Sequence, residues 1–207
     1  VFSISLNQCG KSFNRHWLFQ DLSGEFKTGE KWAILGPNGS GKSTLTLLLC
    51  GQILPTKGNI IHTHQQQQIP LNQLHRYVAL ASPALELNED LNTKEIFGLH
   101  AKLKPMQVEN ALDVFASLAG YGKAVLSKPI ATFSSGMKQR VKLSLALMSN
   151  TPLLLLDEPF TNLDKAGEGF VRELMESFGK DRLIFIASNR EEEYEGCSHR
   201  LTLESGR

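Results

Sequence analysis

The sequence predicts an α/β fold built on a mainly parallel sheet covered on both faces. Three observations predict it. Short apolar runs recur along the chain at Trp32–Leu35, Tyr77–Ala81, Leu153–Leu156 and Leu183–Ala187. Stretches of helical periodicity separate them, and strands buried on both faces read as continuous apolar runs rather than alternations. A glycine-rich segment, Gly36–Ser43, follows one such run and precedes an apolar helix, which is the strand–loop–helix setting of an anion site.

The elements follow in order. Phe2, Ile4 and Leu6 alternate with Ser3 and Ser5, so residues 1–8 read as a half-buried strand. Phe26–Gly29 reads as a strand end and turn, and Trp32–Leu35 as a buried strand. The helix after the glycine-rich segment runs to about Cys50. It is apolar nearly all round and is expected to be central. Pro55 and Gly58 punctuate the chain before strand character resumes at Asn59–Ile61. The polar patch His62–Gln68 reads as a solvated turn between two edge strands; His62 and His64 have no carboxylate or cysteine beside them to complete a metal site.

Tyr77–Ala81 is a further buried strand. Ile96, Leu99, His100 and Leu103 then fall at i, i+3, i+4 and i+7. Val108, Ala111, Leu112, Phe115, Leu118 and Ala119 repeat the pattern, with Gly120 after the end. These helices interrupt the strands, so 82–128 is read as an insert between two core segments, 1–81 and 129–207. Helices are expected over about Gly136–Met148 and Ala166–Phe178, and strands over Leu183–Ala187 and Arg200–Leu203.

Composition bounds the function. With 207 residues, 41% of them hydrophobic, the chain can bury a core of one or two domains. Twenty-two basic against 21 acidic residues leave a net charge of +1, which gives no case for gripping a long polyanion, so no nucleic-acid partner is expected. No apolar run approaches the roughly 18–20 residues that span a bilayer. A role at a membrane requires another chain to supply the span. Cys9, Cys50 and Cys197 are far apart and odd in number, the usage of a reduced compartment. Val1 opens directly into the alternating stretch, so no secretory signal is expected.

Gly36-Pro37-Asn38-Gly39-Ser40-Gly41-Lys42-Ser43 fits G-x-x-x-x-G-K-[ST], and Thr44 follows. The glycines permit the backbone angles of a nest whose amides point at phosphate oxygens. Lys42 supplies a point charge for the β- and γ-phosphates, and Ser43 a hydroxyl for Mg²⁺. Leu153–Leu156 ends in Asp157 and Glu158. At the carboxyl end of a buried parallel strand, Asp157 is placed to hold Mg²⁺ through water, and Glu158 to orient or deprotonate an attacking water.

With both motifs in place, nearly the whole chain resembles the ATP-binding cassette (ABC) ATPases. Phe133-Ser134-Ser135-Gly136-Met137-Lys138-Gln139-Arg140 is similar to the family signature, usually L-S-G-G-Q; Ser134 and Gly136 are kept and Ser135 stands for the first Gly. Thr161-Asn162-Leu163-Asp164 matches the family's D-loop, and Phe13, with Trp17 as the alternative, lies where the family places an adenine-stacking aromatic. The resemblance implies a P-loop NTPase (RecA-like) core with an antiparallel β edge subdomain and a helical insert. It implies ATP and Mg²⁺ as ligands, and a head-to-tail pairing in which the signature of one cassette closes on the ATP of another, most simply a second copy of this chain. It also implies a separate transmembrane permease that docks on the insert, and a cytoplasmic location at the inner face of the membrane.

Two positions depart from the family. Ser82 stands where a Gln contacts Mg²⁺ and the attacking water, and Asn189 where a His contacts the γ-phosphate. The stretch from Arg190 to Arg207 keeps the family's ending. The resemblance therefore implies an ATPase slowed by these replacements; a cassette that binds ATP and barely hydrolyses it stays open. A non-transport cassette acting on ribosomes or DNA fits less well, because such relatives carry two cassettes, coiled coils or basic arms. A small-molecule kinase would leave the signature unexplained.

Overall fold

An antiparallel hairpin begins the chain: β1 (Phe2–Phe13) and β2 (His16–Lys27) join where Phe13 faces His16. The two turn residues, Asn14 and Arg15, both have positive φ (48° and 66°), the backbone of a type I′ turn, whose twist matches the flanking strands. The remaining strands are β3 (Lys31–Leu35), β4 (Lys57–His64), β5 (Gln67–Gln68), β6 (Val78–Ala81), β7 (Leu153–Asp157), β8 (Leu183–Ala187) and β9 (His199–Thr202). The helices are α1 (Lys42–Leu49), α2 (Thr93–Leu103), α3 (Ala111–Ala119), α4 (Lys123–Leu126), α5 (Ser135–Met148), α6 (Lys165–Phe178) and α7 (Glu191–Tyr194). This computed structural model describes residues 1–204. Ser205, Gly206 and Arg207, the last of the stretch read as a family ending, lie outside the described residues.

The chain divides into two compact units. The first comprises Val1–Leu80, Pro152–Glu158 and the residues from Asp181 onward. It holds an antiparallel sheet of order β2-β1-β4-β5 and a second sheet of order β6-β7-β8-β3-β9, parallel from β7 through β9. All five residues of β7 and all five of β8 are buried, as the continuous apolar runs demand. Phe2, Ile4 and Leu6 pack in one core with Leu45, Leu48 and Leu49 of α1 and with Leu155 and Phe185 of the parallel sheet.

Two expectations for this unit change. β1 extends to Phe13 because a bulge after Leu6 restarts its pairing with β2. Gly58 of β4 fits against that bulge, since a Cβ there would lie 2.2 Å from the Asn7 carbonyl oxygen. His62, read as part of a solvated turn, is instead buried inside β4, with Nε2 2.8 Å from the Leu49 carbonyl oxygen. Only Gln65 and Gln66, both at positive φ, form the exposed turn before β5. The acceptor at the end of α1 accounts for this: a helix leaves its last carbonyls unpaired, and the His62 imidazole caps one.

The second unit comprises Ala81–Thr151 and Pro159–Lys180. It takes in the 82–128 segment together with α5 and α6. Its aromatic core links Phe97 to Phe115 (ring centroids 5.2 Å), and Phe115 to Tyr121 (5.6 Å) and Phe170 (6.1 Å). Asn92 and Glu95 form a reciprocal capping box at the start of α2. Gln107 Nε2 lies within 3.2 Å of the carbonyl oxygens of Leu147, Ser149 and Phe178, tying the ends of α5 and α6. On α2 the buried residues are Thr93, Ile96 and Phe97, while Leu99 and Leu103 are exposed. The stripe expected at Ile96, Leu99, His100 and Leu103 is therefore split, because Phe97 takes the core position against Phe115. α3 begins at Ala111, so Val108 precedes the helix, and the short helices α4 and α7 add to the elements expected from the sequence.

Candidate nucleotide-binding site

β3 aims the chain into the phosphate loop. Gly36, Gly39 and Gly41 have φ of 150°, 83° and 98°, values that L side chains rarely adopt. At Gly36 a Cβ would lie 2.6 Å from both the Leu203 carbonyl oxygen and Ser40 Oγ. At Gly41 it would meet the Phe19 ring at 3.0 Å. The loop is thus held by β2 on one side and by the chain leaving β9 on the other. Lys42 is buried, and its Nζ donates to the carbonyl oxygens of Gly36 (2.9 Å) and Pro37 (3.3 Å), so the loop wraps the ammonium. Ser40 is buried with its Oγ unpaired in the protein. Pro37, Asn38, Gly39 and Ser43 are exposed, and Thr44 is half-buried. No acidic side chain occupies the first turn of α1. Open amides at a helix start, a wrapped lysine and no competing carboxylate fit a phosphate chain.

The carboxylates stand on the same sheet edge. Asp157 pairs in register with Ala187, and Ala187 with Ile34, two residues before Gly36. Two strand spacings put the backbones of Asp157 and Ile34 roughly 10 Å apart, a span that a hydrated Mg²⁺ bridges to a phosphate. Asp157 is buried. Among the described residues no three His, Cys, Asp or Glu gather as a metal cluster. A metal here would draw on one carboxylate, the Ser43 hydroxyl and phosphate oxygens, a donor set of the kind Mg²⁺ prefers. Glu158 is half-buried at φ 46°, with its amide donating to the Ala187 carbonyl (2.9 Å). A left-handed backbone at a non-glycine is strain of the kind that collects at functional sites. The sequence carries no sign of it.

Asn189 follows β8 and donates from Nδ2 to Asn38 Oδ1 of the phosphate loop at 2.7 Å. Asn189 therefore touches the cradle. Phe13 is 51% exposed at the hairpin tip, with Lys11 Nζ 4.9 Å from its ring centroid, so it is no core residue. Trp17 is half-buried against Gly10.

The signature residues lie in the second unit. Ser134 and Ser135 are exposed, and Gly136 is half-buried. Ser134 caps α5, its Oγ accepting from the Met137 amide at 3.2 Å. Together with Tyr121, Arg140 and Asn162–Asp164 these residues line a cleft of about 380 Å³. Burial pushes the Tyr121 hydroxyl up from its ordinary pKa, against the charge and hydrogen bond of Arg140. The Gly167 amide, with Arg140 adding to it, holds the Asp164 carboxyl below the usual carboxylate range. Tyr121 escaped the sequence reading because only the fold brings it beside residue 134. Ser82 belongs to this unit too. It is buried, its Oγ accepts from the Ala84 amide (3.3 Å), and its carbonyl lies 3.3 Å from Lys142 Nζ.

A parallel sheet whose carboxyl edge carries a wrapped lysine, open helix amides and a buried carboxylate defines a nucleoside-triphosphate-binding protein of the P-loop class. Residues 19–161 match the family model described as ABC transporter. The cytochrome c biogenesis ATP-binding export protein CcmA of Brucella abortus is 34% identical over 177 residues, covering 83% of this chain and 78% of that one. A solved ATP-binding subunit of an ABC transporter superposes with a TM-score of 0.84 at 25% identity, covering 98% of this chain and 87% of that one. A cassette solved as a dimer in a post-hydrolysis state with ADP and Pi shares the fold: TM-score 0.83, 18% identity, 99% and 97% covered. The chain belongs to the ABC transporter family, as an ATP-binding cassette.

Proposed function

We propose that this chain is the ATP-hydrolysing subunit of a membrane exporter, driving a separate permease by ATP-dependent closure onto a second cassette, most simply a second copy of itself. One observation carries the reading. The cradle and the signature sit in different units, and the signature cleft is open to solvent, with Ser134 and Ser135 exposed. Each is half of a site that a partner copy completes. The relative's export role in Brucella supports the direction of transport.

In this reading the amides of the Gly36–Thr44 loop and Lys42 bind the phosphates, and Phe13 stacks on the base. Ser43 and Asp157 would hold Mg²⁺, with Ser82 standing in the family's Gln position, and the metal would neutralise phosphate charge when bound. Glu158 takes a proton from the water that attacks the γ-phosphorus. The bond to the bridging oxygen breaks, leaving ADP and phosphate. Asn189, anchored by Asn38, gives the γ-phosphate an uncharged donor. Ser134, Ser135 and Gly136 meet the ATP of the opposite cassette. Because an amide replaces a charged imidazole and Ser82 is two carbons shorter than Gln, hydrolysis is slow while closure is intact. The 82–128 segment receives the permease: Leu99 and Leu103, four residues apart on one face of α2, are 50% and 74% exposed. Among the described residues no helix is long and apolar enough to cross a membrane, so the chain is held at the inner face through that partner.

Single-turnover hydrolysis tests the chemistry. Purified protein with bound ATP should release phosphate only with Mg²⁺, and Glu158→Gln should cut that rate about 10²–10⁴-fold while ATP still binds and drives dimer formation. Absence of Mg-dependent release from the wild-type dimer would show a cassette that binds without hydrolysing.

A further inference from the structure

We propose that Arg140 is a positioning residue that fastens the Thr161–Asp164 loop to the head of α5, so that signature and loop face the second cassette as one rigid surface. The proposal rests on the dimer reading above for its consequence, but not for its geometry. Gly136, Gln139 and Arg140 fall at i, i+3 and i+4, one face of α5, and each touches the segment 159–164. A Cβ on Gly136 would lie 2.8 Å from the Asn162 carbonyl oxygen, so helix and loop are in backbone contact with no room for a side chain. Gln139, buried, donates from Nε2 to the Pro159 carbonyl at 3.1 Å. Arg140 donates from Nη2 to Asp164 Oδ1 at 3.0 Å.

That oxygen also accepts the Gly167 amide at 2.8 Å, the cap of α6. The guanidinium carbon lies 5.8 Å from the Phe170 ring centroid on the same helix. Arg140 therefore bonds the atom that starts α6 while lying over its first turns. The side chain of Asp164 is 74% exposed and that of Arg140 17%. An ion pair open to water on one side adds little to folding stability. Its effect is to set where the loop stands: Asn162 is held at φ 64°, a left-handed backbone for a non-glycine.

Two measurements on the full chain test this. Hydrogen exchange on the ATP-free monomer should show the amides of 160–164 exchanging at least tenfold faster in Arg140→Met than in wild type, with the amides of 36–44 unchanged. In the Glu158→Gln background, ATP-dependent dimerisation measured by sedimentation should weaken at least tenfold on Arg140→Met, recover in part with Arg140→Lys, and weaken no further when Asp164→Asn is added. Monomer affinity for a fluorescent ATP analogue and the melting temperature should stay near wild type. Unchanged exchange at 160–164, an undiminished dimer, additive effects of the two substitutions, or loss of ATP affinity in step with melting each overturns the proposal. If Glu158→Gln alone fails to dimerise with ATP while the exchange prediction holds, the dimer reading falls and the fastening stands.

Discussion

Asn189 shows what one side chain contributes. Its Nδ2 donates to Asn38 Oδ1 at 2.7 Å, so the amide is oriented by the phosphate loop itself. It offers a donor without charge and without a titration near neutral pH. A charged or well-placed donor to a transition-state oxygen is worth about 10²–10³ in rate, and in the proposed reading the amide would recover part of that. Asn189→His is therefore expected to raise steady-state phosphate release by up to about a hundredfold, measured at saturating ATP. Unchanged turnover would place the limit elsewhere. The cradle was legible in the sequence because its chemistry is local: eight consecutive residues supply glycines, lysine and hydroxyl together. The strained backbone of Glu158 and the contact between Gly136 and Asn162 were not, because each is set by what a distant segment brings beside it.

Elements differ in how openly they announce themselves. β7 and β8 were legible as unbroken apolar runs, and α5 and α6 as the stretches on either side of the Leu153–Leu156 run. β2 was not, because bulges break its alternation and its turn, Asn14-Arg15, lacks the glycine that marks most type I′ hairpins. The split of α2 between a buried Ile96/Phe97 edge and exposed Leu99 and Leu103 also escaped, since periodicity tells where a stripe lies and not which half of it finds a core. The start of α2 is set by the Asn92–Glu95 capping box, whose two bonds are 3.0 and 2.8 Å. Asn92→Ala removes the acceptor and is expected to cost about 1 kcal/mol, read as a lower urea midpoint with an unchanged slope. A loss below a few tenths would show that the helix start is held by its surroundings.

Acid sensitivity belongs to the whole molecule, since each unit holds a histidine drawn away from water, His62 buried and His100 half-buried. Burial lowers the His62 pKa against the opposing bond to Leu49. Burial, with the Lys104 charge added, lowers that of His100 to about 4. His100 is within 2.8 Å of Ser149 Oγ, which donates its own proton to the Leu145 carbonyl, so the imidazole is the donor, and its lowered pKa leaves it neutral near pH 7. A base with a lowered native pKa leaves the unfolded chain binding more protons, so its contribution is full above about pH 6.5 and is lost as pH falls toward 4. The urea midpoint is expected to be flat from pH 8 to 7 and to drop between pH 6.5 and about 4.5. In His62→Gln/His100→Gln that drop should shrink, as followed by fluorescence. An equal drop in the double variant would assign the acid sensitivity to other groups.

The order of the parallel sheet bears on how the protein is made. β3 is translated early, yet its two neighbours, β8 and β9, come from residues 183–187 and 199–202. While a nascent chain stops short of them, the strand that launches the loop has bare edges on both sides. The grip on phosphate waits for strands that are translated long after the loop itself.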